Sequence, residues 1–195
     1  MCRVIEALSR SIPRRIEAEQ GLAYFVSRRL QFEGWLKVIV ASELGKYLIS
    51  SNSLAQVEVE HPLGSSKERV DLVVPELLAL ELKVITTNYT AVCVEHKSKN
   101  ITNQVDGLRS DLEKLRRFVR GNPVDDAAIL GVAFPVGPGS IERWKQQHIN
   151  KLLPSLPLEY TEWAIKLPCL EGIAPGLLFT LRLKGAHLSS STPAR

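Results

Sequence analysis

Arg69-Val-Asp-Leu-Val-Val-Pro-Glu-Leu-Leu-Ala-Leu-Glu-Leu-Lys83 sets three charged groups, Asp71, Glu81 and Lys83, into two otherwise apolar runs. Val70, Leu72 and Val74 alternate with Arg69, Asp71 and Val73, and Leu78, Leu80, Leu82 and Val84 alternate with Ala79, Glu81, Lys83 and Ile85. This period of two predicts a pair of strands with an aliphatic face in a core. Asp71 and the Glu81/Lys83 pair fall on the opposite face. Pro75-Glu76 lies between the runs, where a short turn folds them into a hairpin and brings Asp71 near Glu81. Two carboxylates and an ammonium then share one place.

Carboxylate oxygens bind Mg2+, which keeps several of its waters, and a neighbouring lysine can orient one of them. The bland alternative is a surface hairpin bearing an ordinary Glu-x-Lys pair. Asp71, nine intervening residues and Glu81-x-Lys83 resemble the core motif of the PD-(D/E)xK nuclease superfamily, which has the restriction-endonuclease-like fold. Val70 stands where the motif's nominal proline would be. The resemblance implies an α/β fold with an αβββαβ core, its mixed central sheet flanked by helices. It also implies that Asp71, Glu81 and the Leu82 carbonyl hold Mg2+ or Mn2+ and that Lys83 positions the attacking water.

The surrounding sequence has the matching order. Gln31 to Leu48 reads as an amphipathic helix through Phe32, Leu36, Ile39, Leu44, Tyr47 and Leu48. The superfamily commonly carries a glutamate near the start of such a helix, and Glu33-Gly-Trp35 resembles the Glu-x-Trp form of some members, so Glu33 is the choice to complete the metal shell. Glu43 is a weaker candidate on a similar side. Ala55 to His61 alternates as a strand, with Glu58 and Glu60 on its polar face. Ile101 to Arg120 carries the helical stripe Val105, Leu108, Leu112, Leu115, Val119 and predicts the crossover helix, with Asp111 and Lys114 one turn apart and able to pair with each other. Gln104 stands where several nuclease branches carry an active-site glutamine, although Leu108 replaces their tyrosine. Ala127 to Val136 then suits a buried parallel strand.

The expected organisation is a helical extension over residues 1–30, a nuclease-like domain over 31–185 and a disordered tail over 186–195. Ile141 to Leu153 predicts a further helix capped by Ser140, with His148 on its packing edge, and two more strands are expected around Tyr160–Leu167 and Leu177–Leu183. Cys2, Cys93 and Cys169 are isolated in the sequence and odd in number, which argues against a disulfide framework or a zinc site. No apolar run is long enough to cross a bilayer, and Met1-Cys-Arg lacks a secretory layout, so a cytoplasmic protein with no membrane partner is expected.

A formal net charge of +4 permits a polyanionic partner without requiring one. Basic residues crowd the amino-terminal region (Arg10, Arg14, Arg15, Arg28, Arg29) and the crossover helix, where Arg109, Lys114, Arg116 and Arg117 are the candidates for gripping a nucleic-acid backbone. The expected activity is metal-dependent cleavage of phosphodiester bonds, in DNA first. Its alternative is a nucleic-acid-binding or assembly module that keeps the fold without turnover. Oligomeric state, a homodimer included, is left open.

Overall fold

The computed structural model describes residues 3–64, 67–96, 101–152 and 158–183. Helices α1 (Arg3–Ala18), α2 (Leu22–Ser27) and α3 (Glu33–Ser50) precede strands β1 (Glu58–Pro62), β2 (Arg69–Val74) and β3 (Glu76–Thr86). Helix α4 (Ile101–Gly121) then leads to β4 (Val124–Phe134), a short helix α5 (Ile141–Trp144) and strands β5 (Leu158–Cys169) and β6 (Gly172–Leu183). The strands form one six-stranded mixed sheet in the order β1-β2-β3-β4-β6-β5. Only β3 and β4 run parallel, joined by α4, and the other neighbours are antiparallel.

Each face of the sheet buries a separate core. Leu72, Val74, Leu78, Leu80, Leu82 and Val84 pack under α1, α2 and α3. On the other face Val73, Ala79 and Ile85 meet Leu108, Leu112 and Leu115 of α4 and Trp144 of α5. The face that carries Glu81 and Lys83 is therefore covered by α4 and does not look onto bulk water. The amino-terminal helices bury Ile5, Leu8, Ile12 and Ile16 against the sheet, sharing the core that α3 makes.

Strand alternation slips at one point. Val70, expected on the face of Leu72, lies in the opposite core. The β1–β2 ladder pairs Val59 with Leu72 and His61 with Val70, skipping Glu60 and Asp71, and Glu60 has φ of 56°. A local distortion of this kind re-aims a side chain, and here it turns Asp71 edge-on to the sheet.

Several expected elements differ in detail. The helix expected from Ile141 to Leu153 starts with a 3-10 turn at Pro138–Ser140, is α-helical only to Trp144, and continues as a π turn over Lys145–Ile149. Ser140 makes no capping hydrogen bond through its side chain. Cys93 and Cys169, far apart in sequence, bring their thiols within hydrogen-bonding reach, and burial followed by that contact holds the Cys169 thiol well above its usual range. Pro168 and Pro175 are accommodated because β5 is an edge strand and the β4–β6 ladder begins only at Leu177. The expected tail, 186–195, lies outside the described residues.

Gly131, central in β4, exists to admit the Phe179 ring, since a Cβ there would sit 2.2 Å from Phe179 Cζ. Gly131→Ala is expected to destabilise the fold by about 1–3 kcal/mol through overpacking. Thermal unfolding checks this, with Phe179→Leu in the same chain expected to recover part of the loss.

Candidate active site

The hairpin ladder between β2 and β3 consists of Leu72–Leu80, Val73–Ala79 and Val74–Leu78 and stops there. Arg69 and Val70 stay with β1, Asp71 has no ladder partner, and Glu81 to Thr86 pair only with β4. A gap opens along one edge of β3. Backbone groups left without a strand neighbour must find other partners, and side chains supply them. Asp71 Oδ2 accepts the Leu82 N–H at 2.8 Å, Glu33 Oε2 accepts that of Val84 at 3.4 Å, and Gln104 Oε1 accepts that of Thr86 at 3.0 Å. Gln104 Nε2 also donates to the Thr86 carbonyl at 3.2 Å. Both N–H and C=O of a strand residue leave on the same edge, so the Leu82 carbonyl faces this gap as well.

Glu33, Asp71 and Gln104, chosen from three separate segments, thus converge on the open edge of β3, with Glu81 and Lys83 beside them under α4. Glu81 is 2% exposed. Its Oε2 accepts a hydrogen bond from Lys114 Nζ at 2.7 Å, and its Oε1 is buried with no hydrogen-bond partner. Burial pushes the Glu81 carboxyl up to about 8, with the Asp71 and Asp111 charges adding to the rise and Lys114 opposing it. Burial likewise raises Glu33, against the pull of Lys83 and the Val84 amide.

Lys83 Nζ lies 3.1 Å from Asp111 Oδ2. Burial alone would lower its pKa, but Asp111, Glu33 and Asp71 outweigh burial and hold it above the ordinary lysine value. Lys83 is therefore a fixed cation at neutral pH. Its stem runs beside α4 at Gly107, where a Cβ would make an ordinary van der Waals contact with Lys83 Cε at 3.7 Å.

Three partners were not singled out for this place by their sequence. Lys37, one turn after Glu33, reaches Asp71 Oδ1 at 2.6 Å and also pairs with Glu60. Asp111 holds Lys83, and Lys114, expected to grip a nucleic-acid backbone, is turned inward onto Glu81. Asp111 and Lys114 are 3.8 Å apart, so their mutual pairing is the weaker contact of each. Glu43 pairs with Lys46 and Arg15 and takes no part in the site. Glu58 pairs with His61.

The remaining basic candidates divide. Arg117 makes a bidentate contact with Glu68, both at 2.8 Å, and Arg109 and Arg116 are exposed. In the amino-terminal region Arg10 pairs with Glu6 and Arg28 with Glu95. Arg29 is buried and donates to the Thr87 and Tyr89 carbonyls at 2.7 Å, so it clamps the segment after β3. His148 packs against Trp144 with its ring tilted and the ring centroids 5.1 Å apart, as its helical position suggested.

Gln104 is engaged at both ends by Thr86, which makes it a substitute for a missing strand. Gln104→Ala is expected to cost about 1–3 kcal/mol, because a part-buried N–H and C=O lose their partner. Amide exchange at Thr86 should accelerate and that of β4 should not.

The chain matches no profile of a known protein family, no curated protein and no solved structure. No helix among the described residues is long and apolar enough to cross a membrane.

Proposed function

We propose that this chain is a divalent-metal-dependent phosphodiesterase acting on nucleic acid, DNA first, on a restriction-endonuclease-like αβββαβ core. The observation that carries the reading is the Glu81 carboxylate, buried beside Asp71 with Oε1 lacking any partner. An uncompensated buried acid oxygen is costly, and a cation arriving there removes the cost. The donor set fits Mg2+ or Mn2+: hard carboxylate oxygens from Asp71 and Glu81 with the Leu82 carbonyl on the same edge. Among the described residues no three acidic, histidine or cysteine side chains cluster tightly enough to hold an ion by themselves. Mg2+ needs only one or two carboxylates when waters and phosphates complete its shell.

In this reading Asp71, Glu81 and Leu82 hold the ion and Glu33 completes the surroundings. The ion, when bound, polarises the phosphate and lowers the pKa of water. Lys83, fixed by Asp111, orients the water and adds positive charge where the phosphate gains negative charge. Lys37 and Lys114 hold Asp71 and Glu81 in place. Those same two lysines favour a second reading, since each already contacts one carboxylate. That reading is a module that binds nucleic acid without cutting it.

The test is incubation of the purified full chain with single- and double-stranded DNA and RNA, with Mg2+, with Mn2+ and with chelator. Metal-dependent cleavage supports the enzyme. Tight binding with no cleavage under any metal supports the module instead.

A further inference from the structure

A second cleft lies on the far side of α4 from the site. Thr102, Asp106 and Arg109 of α4 face Gln147, His148 and Lys151 across a volume of about 290 Å3. At 3.6 residues per turn these α4 positions fall roughly 140° round the helix from Gly107, Asp111 and Lys114, which face β3. The cleft is therefore no extension of the proposed active site.

The cleft is lined by two cations and one carboxylate. Arg109 and Lys151 form no ion pair among the described residues, and Asp106 is the one carboxylate lining the cleft. The π turn places Lys145 on Glu162 at 2.5 Å while Trp144 and Ile149 stay buried. Such turns recur at functional sites because the extra residue displaces neighbouring side chains. Arg143 Nε donates to Gln147 Oε1 at 3.3 Å, which leaves the Gln147 amide nitrogen to donate elsewhere. Burial and then the positive charges of Lys151 and Arg143 depress the His148 pKa, so the ring is neutral and keeps one N–H to donate.

We propose that the cleft between α4 and the Gln147–Lys151 segment binds a phosphate group, with Arg109 and Lys151 supplying charge and Gln147, His148 and Thr102 supplying hydrogen bonds. A guanidinium and an ammonium converging with neutral donors match phosphate chemistry. The volume sits at the small end of ligand clefts, which suits one phosphate monoester or one diester link. The pocket stands whether or not the chain is a nuclease. Its phosphate comes either from a free phosphate compound or from a nucleic-acid backbone.

The experiment titrates the full chain with inorganic phosphate at constant ionic strength, balanced with sodium chloride, and follows the His148 ring protons by NMR, assigned through His148→Gln. A saturating shift is expected. Arg109→Ala and Lys151→Ala, both at exposed positions that leave the cores intact, should each weaken it roughly tenfold or more, and Asp71→Asn should leave it unchanged. A non-saturating shift, or a saturating one indifferent to Arg109→Ala and Lys151→Ala, overturns the proposal. A short oligothymidylate without terminal phosphates forms the second arm. If it reproduces the shift with the same sensitivity to both variants, the source is a backbone diester; if only inorganic phosphate does so, it is a free phosphate compound, and either result supports the pocket. Absence of nuclease activity leaves every arm of this test intact.

Discussion

Asp71→Asn is expected to lower metal-dependent phosphodiester cleavage by roughly 10²–10³-fold or more, with the fold retained. Asparagine keeps an oxygen able to accept the Leu82 N–H, the 2.8 Å contact that replaces the missing strand pairing. It removes the charge that would hold a cation in the proposed reading. Circular dichroism and unfolding should therefore stay near the parent's while turnover collapses. Lys83→Met should give a loss of similar order with nucleic-acid affinity nearly unchanged, because its contribution belongs to the transition state more than to the bound ground state. In the proposed reading the two groups act through one reacting centre, so the double variant should be little worse than the poorer single one. Cleavage that survives Asp71→Asn at near-parent rate would remove Asp71 from the chemistry and leave it as a strand clamp.

The contrast between strand clamp and catalyst also marks where the sequence was readable. Asp71, Glu81 and Lys83 announced themselves because period-two alternation makes a charge in an apolar run conspicuous, whereas Glu33 was chosen only through the resemblance of Glu33-Gly-Trp35 to the superfamily's Glu-x-Trp form. The element order helix, three strands, helix, strand, and the two later strands, followed from the same periodicities. The slip at Asp71 did not, because Val70 suits either core and the distortion depends on Glu60 in another strand.

Lys37, Asp111 and Lys114 were hidden for a different reason. Charged helix residues usually face water, and only the packing of α4 over β3 turns Asp111 and Lys114 inward onto Lys83 and Glu81. Their position on the flank of the Val105–Leu108–Leu112–Leu115 stripe was the available signal. The π turn left the apolar spacing of its helix intact, and the Cys93–Cys169 contact spans a separation that no local pattern reports. Arg29 looked like one more surface cation, since its burial depends on two carbonyls after β3.

Glu81→Gln is expected to make the metal-free protein more stable at high pH and to abolish its stabilisation by Mg2+. The native Glu81 carboxyl is raised from its ordinary 4.5 to about 8, first by burial. Between those values the native chain holds a proton that the unfolded chain has released, so the stability of the parent falls as pH rises through this window. Below 4.5 the penalty is absent, and above 8 it is fully present, of the order of a few kcal/mol. The neutral amide of the variant carries no such charge, so the two proteins should unfold alike near about pH 4 and diverge progressively towards about pH 9. A cation that binds the ionised carboxylate offsets the penalty by mass action, about 2.7 kcal/mol at a hundredfold excess over its Kd. Mg2+ should then stabilise the parent most at high pH and the variant scarcely at all. Equal stabilisation of both proteins would place the ion away from Glu81, and a gap that does not grow with pH would mean that Lys114 neutralises Glu81 completely, which is the arrangement the non-cutting module requires.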